Sequence, residues 1–148
     1  MPSSPIRKKV PGRRNPHELK FCAQVLRELM NKKYIAFNYA FLVPVEPIAL
    51  GIPHYTQIIK HPMDLSTVRK RLETNYYDNC EDFEADVRLM LNNCFTFNRA
   101  GEDVYEMGKK MEALFEEKWA MKPPPGFVPS PAVRRGDESS DEGKFLVC

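Results

Sequence analysis

The chain has 148 residues, 43% hydrophobic and 28% charged, with 13 prolines and a net charge of +2. That length holds one domain with its own core and is too short for two ordinary ones, and no apolar run approaches the roughly 20 residues of a membrane-spanning helix. Residues 1–14 carry five bases (Arg7, Lys8, Lys9, Arg13, Arg14) and no acid, residues 123–148 carry three bases and four acids, and the body between is about −2, which suits a basic peptide better than nucleic acid.

In chain order, residues 1–15 read as a disordered basic tail and residues 123–148 as a disordered tail, Pro-rich and then acidic at Asp137-Glu138-Ser139-Ser140-Asp141-Glu142. The folded unit is expected over residues 16–122. Its first helix spans about Pro16 to Lys33, capped by Asn15, with Leu19, Cys22, Val25, Leu26, Leu29 and Met30 on one stripe. A short helix follows from about Leu65 to Asn75, capped by Asp64. A third runs from about Cys80 to Asn98, with Asn79 as cap, Asp82 at the capping-box position, and Phe83, Val87, Met90, Leu91, Cys94 and Phe95 facing inward. The last covers about Glu102 to Met121 and stops before Pro123. Short links between helices two, three and four make them antiparallel neighbours in an all-α four-helix bundle.

The connection between helices one and two breaks the pattern. It runs for 30 residues, Tyr34 to Met63, and holds Pro44, Pro47, Pro53 and Pro62 together with many apolar residues, among them Phe41, Val45, Leu50, Ile52 and Tyr55. A loop so long and so apolar cannot simply be solvated. It has to fold over one end of the bundle as a wall, and such loops commonly cover ligand sites.

Asn98 stands at the end of the third helix, before the tight link Arg99-Ala100-Gly101. Spacing alone favours a C-terminal cap, a common task for asparagine. The other reading turns its amide into the mouth of the bundle. Two runs bear on that choice. Ile52-Pro53-His54-Tyr55-Thr56-Gln57-Ile58-Ile59-Lys60-His61-Pro62-Met63-Asp64-Leu65 resembles the end of the first loop and the start of the second helix of bromodomains. Asn92-Asn93-Cys94-Phe95-Thr96-Phe97-Asn98 resembles the motif that ends their third helix, and Pro44-Val45 matches the upstream loop motif. The likeness covers roughly residues 16–122. Tyr39-Ala40-Phe41-Leu42-Val43-Pro44-Val45-Glu46-Pro47 and Asp82-Phe83-Glu84-Ala85-Asp86-Val87-Arg88-Leu89-Met90 are similar to the bromodomain and extraterminal subfamily, most of all to the second bromodomain of its fungal members.

The resemblance implies a left-handed four-helix bundle that reads acetyl-lysine on histone N-terminal tails and links acetylation to transcription in the nucleus. Asn98 would donate to the acetyl carbonyl and Tyr55 would reach it through an ordered water. Pro44, Val45, Leu50, Ile52, Phe41, Phe97, Cys94 and Val104 would line the slot, with Val104 at the rim. Tyr39-Ala40-Phe41 stands where the subfamily carries an aromatic-Pro-Phe shelf, so proline and indole are lost there. Ala100 stands where many members have proline. The acids near the rim, Glu46, Glu102 and Asp103, are either attraction for a basic tail or ordinary surface.

Other classes fit less well. Ser66 sits beside Asp64 in a helix start, Cys94 lies on a core stripe, and no Gly-rich phosphate loop is present, so catalysis is not expected. Cys22, Cys80, Cys94 and Cys148 form no C-x-x-C pair, and the only histidines are His17, His54 and His61. Neither a metal nor another cofactor is therefore expected, and unpaired cysteines point to a reducing compartment. The alternatives are a helical protein-interaction module, or a nucleic-acid-associated chromatin protein with a non-acetyl ligand, whose basic tail makes weak DNA contacts. A monomer without membrane attachment is expected.

Overall fold

The computed structural model describes residues 15–123, so both tails, apart from Asn15 and Pro123, lie outside the described residues. The elements in order are α1 (Pro16–Leu29), α2 (Ile35–Asn38), α3 (Tyr55–Ile58), α4 (Leu65–Glu73), α5 (Cys80–Phe97) and α6 (Asp103–Trp119), with single 3-10 turns at Lys32–Tyr34 and Tyr39–Phe41. Among the described residues there is no strand. The four longer helices, α1, α4, α5 and α6, form the bundle, each packed on its neighbours. None is long and apolar enough to cross a membrane.

Each bundle helix starts where the local chemistry allows. The Asn15 carboxamide oxygen accepts from the His17 and Glu18 N–H groups at 3.1 and 3.2 Å, and Pro16 fills the first helical position, where no N–H is needed. Asp64 accepts from the Ser66 and Thr67 N–H groups and from both hydroxyls, which fixes the start of α4. Asn79 accepts from Asp82 N–H at 3.0 Å. The Asp82 carboxylate, at the capping-box position, accepts from Asp78 N–H at 3.1 Å, one residue before the cap.

The helix ends differ more from the sequence reading. The first helix stops at Leu29, four residues short of Lys33. Asn38, fully buried, donates from one amide nitrogen to the carbonyls of Leu29 and Asn31, each at 2.9 Å, so those acceptors leave the helical ladder. The helix starting at Leu65 stops at Glu73. Asn75 adopts φ 61°, and Tyr76 N–H then reaches the Arg71 carbonyl at 2.9 Å, a closure that ends a helix without glycine. The last helix is shorter than read by one residue at its start and two at its end.

Leu29, Leu65, Val68, Phe83, Val87, Met111 and Phe115 are wholly buried at the centre, and each large apolar side chain contributes about 1.5–3 kcal/mol on burial. Trp119 stacks on Phe83 (5.6 Å) and Phe115 (5.1 Å), and Phe21 of α1 meets it at 5.6 Å. One polar knot enters this core. Asp86 Oδ2 accepts from both Arg71 Nη1 and Tyr77 Oη at 2.7 Å, which ties α4 to α5. Burial raises the Tyr77 pKa and the Asp86 charge raises it further, so the phenol stays a donor.

Candidate functional site

The long connection is ordered from both sides. Asn38 holds its beginning to the end of α1, and Asn93 of α5 donates to the His61 carbonyl at 2.8 Å near its end. Between them α2 packs on α6 and α3 packs on α5. The apex is a compact turn. Leu50 N–H bonds Glu46 O at 3.0 Å, Ile52 N–H bonds Pro47 O at 2.8 Å, and Gly51 takes φ 73°, a left-handed conformation that glycine enters without strain.

Tyr55 opens α3 and is buried. Its ring meets Phe97 edge-on at 4.8 Å, and the His54 ring lies 5.4 Å from Phe97, a geometry favoured by aromatic quadrupoles. Burial raises the Tyr55 pKa, with Cys94 adding to the rise, so its hydroxyl stays protonated. Phe97 thus joins the loop to the end of α5, next to Asn98.

Asn98 is the C-cap of α5, with its own N–H bonded to the Cys94 carbonyl at 3.0 Å. Its side-chain Nδ2 donates to that same carbonyl at 3.0 Å and lies 3.9 Å from Cys94 Sγ. The amide is therefore not free, as the pocket reading assumed. Its firm bond is to the carbonyl, and the second hydrogen has only the long contact to the thiol sulfur, a weak acceptor that a ligand carbonyl can displace. Cap and site are compatible because a carboxamide has more than one bond to give.

Cys94 is buried and donates to the Val104 carbonyl at 3.3 Å, linking α5 to the first turn of α6. Burial pushes its pKa up to about 11, so the thiol stays protonated at ordinary pH. Gly108 allows this approach: a Cβ there would lie 2.7 Å from Cys94 Sγ. Val104 packs partly buried against the core.

The remaining expected residues separate. Phe41 is buried in the core, and Ala40 packs partly buried against it. Val45 and Ile52 are half-buried, whereas Pro44 is exposed and Leu50 is 63% exposed, positions for a rim and not a wall. Tyr39 is 55% exposed, so the three shelf positions run from solvent to core within three residues. Of the acids, Glu102 is engaged by Arg99 N–H at 2.7 Å, while Glu46 and Asp103 are exposed. None of the residues expected to line the slot carries a carboxylate.

Of the two residues that position the loop, Asn38 was absent from the sequence reading and Asn93 entered it only as part of the helix-end motif, with no role of its own. A buried asparagine among apolar neighbours, as in Phe37-Asn38-Tyr39, is the signal that marks such a staple. Glu18, Cys80 and Glu81 gather their ligand atoms within 4.8 Å. Glu18 is occupied by Cys80 N–H and by the Asn15 amide, and burial raises the Cys80 thiol to about 12, which opposes the thiolate a metal needs.

Comparison with known proteins agrees with the resemblance read from the sequence. The bromodomain family model matches residues 22–110. The chain is 49% identical over 125 residues to bromodomain-containing factor 1 of Candida albicans, covering 84% of this chain and 16% of that protein. It is 45% identical over 111 residues to the SWR1 complex bromodomain subunit bdf1 of Schizosaccharomyces pombe, covering 75% and 19%. The chain thus spans less than a fifth of the length of these relatives. Among solved structures, the second bromodomain of Candida albicans Bdf1 bound to an imidazopyridine superposes with a TM-score of 0.70 at 50% identity, over 71% of this chain and 99% of that one. Its unbound form gives 0.69 at 49%, over 72% and 98%.

Proposed function

The chain belongs to the bromodomain family, and we propose that it reads acetylated lysine on histone N-terminal tails through a slot framed by Asn98 and Tyr55. The observation that carries the reading is the Asn98 amide, fixed by the Cys94 carbonyl at 3.0 Å while its second hydrogen meets only the Cys94 sulfur at 3.9 Å. In the proposed complex that hydrogen goes to the acetyl carbonyl oxygen. Tyr55, kept protonated, donates to the same oxygen through a water. Val45, Ile52, Phe97, Cys94 and Val104 surround the methyl and the lysine stem, with Leu50 and Pro44 at the rim.

Selectivity follows from charge. An unmodified ammonium entering this slot loses its hydration and meets no carboxylate, at a cost of several kcal/mol. Acetylation removes the charge and supplies an acceptor and a methyl. The gain is modest: about 1 kcal/mol for the direct hydrogen bond and about 0.8 kcal/mol for the methyl. One mark is therefore bound with micromolar or weaker affinity. By this reading the module couples histone acetylation to transcription in the nucleus.

Calorimetry with acetylated and unmodified histone-tail peptides tests the proposal: heat is expected only from the acetylated form. Asn98→Ala should abolish that heat while stability falls by only about 1 kcal/mol, the value of one hydrogen bond. Equal heats from both peptides, or full binding by Asn98→Ala, would point instead to a helical interaction module with a non-acetyl ligand.

A further inference from the structure

A second concavity lies away from the proposed slot. Between α1 and α4 runs a groove of about 770 Å³ floored by Leu19, Ala23, Leu26, Met30 and Leu72. Lys20, Arg27 and Arg69 also line it, against the single acid Glu73. Among the described residues no carboxylate pairs with any of these three cations. An apolar floor edged by unpaired positive charge fits an acidic segment that also carries large apolar side chains.

The chain contains one. Residues 137–142 hold Asp137, Glu138, Asp141 and Glu142, and Phe145-Leu146-Val147 follow after Gly143 and the single base Lys144. The described chain ends at Pro123, close to the start of α1, because Trp119 packs on Phe21 and Lys122 reaches Glu81. The 14 residue-to-residue steps from Pro123 to Asp137 can span up to roughly 45–50 Å. The whole of α1 is only about 21 Å long.

We propose that the segment Asp137–Val147 docks in the α1–α4 groove of its own chain, its acids on Lys20, Arg27 and Arg69 and its apolar triplet on the floor. The tether holds it at millimolar effective concentration, so weak contacts suffice. Exposed ion pairs are individually weak and are screened by salt, which makes the docking salt-sensitive. None of the groove residues belongs to the proposed acetyl-lysine slot, so the two proposals stand or fall separately.

A nitroxide on Cys148 of the full chain tests this, since Cys22, Cys80 and Cys94 are buried; mass spectrometry confirms the labelled position. The amides of Lys20, Ala23, Arg27 and Leu72 are expected to lose signal in a heteronuclear NMR spectrum and recover it on reducing the label. The loss should be independent of protein concentration, and absent at high salt and in a Lys20→Glu/Arg27→Glu/Arg69→Glu chain. Signal loss that is uniform, lacking, or confined to other faces would overturn the proposal. So would a loss that grows with protein concentration, which would make a second copy the occupant.

Discussion

Removing the Asp86 carboxylate should expose how much the polar knot contributes to the fold. Asp86→Ala deletes the acceptor shared by Arg71 Nη1 and Tyr77 Oη, both at 2.7 Å, where the Asp86 side chain is only 3% exposed. Stripping one partner from a buried ion pair costs about 3–5 kcal/mol. Arg71 sits at the lower end of that range, because its side chain is 19% exposed and also lies over the Tyr76 ring at 4.5 Å. Tyr77 has no such outlet, being 1% exposed, and an orphaned buried hydroxyl costs about 1–3 kcal/mol. These terms overlap, and a total near 4 kcal/mol is expected, or a fall in Tm of about 16–30 °C for a domain of this size. Asp86→Asn keeps an acceptor for the phenol but not the charge, so its loss should be about half. Urea unfolding of the two variants measures this. A loss under about 1 kcal/mol for Asp86→Ala, or an equal loss for both, would refute the reasoning. The knot lies on helix turns remote from Asn98, so peptide affinity of the folded fraction should not change.

Three further outcomes are expected. Asp64→Ala removes the acceptor for two N–H groups and two hydroxyls at the start of α4 and should cost about 1–2 kcal/mol in urea. Gly108→Ala places a Cβ 2.7 Å from Cys94 Sγ and 2.9 Å from the Phe95 ring; overpacking of about 1–3 kcal/mol should outweigh the gain of about 1 kcal/mol in helix propensity. Cys94→Ala in the same chain should recover part of that loss, and a stabilised Gly108→Ala would contradict the close approach. Burial raises the Cys80 and Cys94 thiols from 9.0 to about 12 and about 11. Because the unfolded thiols ionise first, stability is full below pH 9 and declines as pH rises toward 11 and beyond; urea midpoints at pH 8, 9 and 10 should fall in that order.

Local chemistry carried the helix starts: Asn15, Asp64 and Asn79 announce themselves because a cap is satisfied within three residues. The end of α1 could not be read that way. It depends on Asn38, nine residues further on, whose amide takes the Leu29 carbonyl out of the ladder. α2 and α3 have four residues each, too few to show a period, so they passed as loop. The Arg71–Asp86 pair spans 15 positions and two helices, and nothing in either local run points to the other. At the site, the apolar character of the connection was legible, and so was the position of Asn98 at a helix end. That one hydrogen of its amide is spent on Cys94 was not, because spacing presents cap and site as alternatives where the side chain's two hydrogens admit both.

The amide held before any ligand arrives also sets a clock. A donor with no rotamer left to lose needs no rearrangement step, so association should run at an ordinary protein rate of about 10⁵–10⁷ M⁻¹ s⁻¹. At micromolar affinity the complex then lasts about 0.1–10 s. On the proposed reading, occupancy follows the density of marks within seconds, and no acetyl group is shielded for long from the enzymes that erase it.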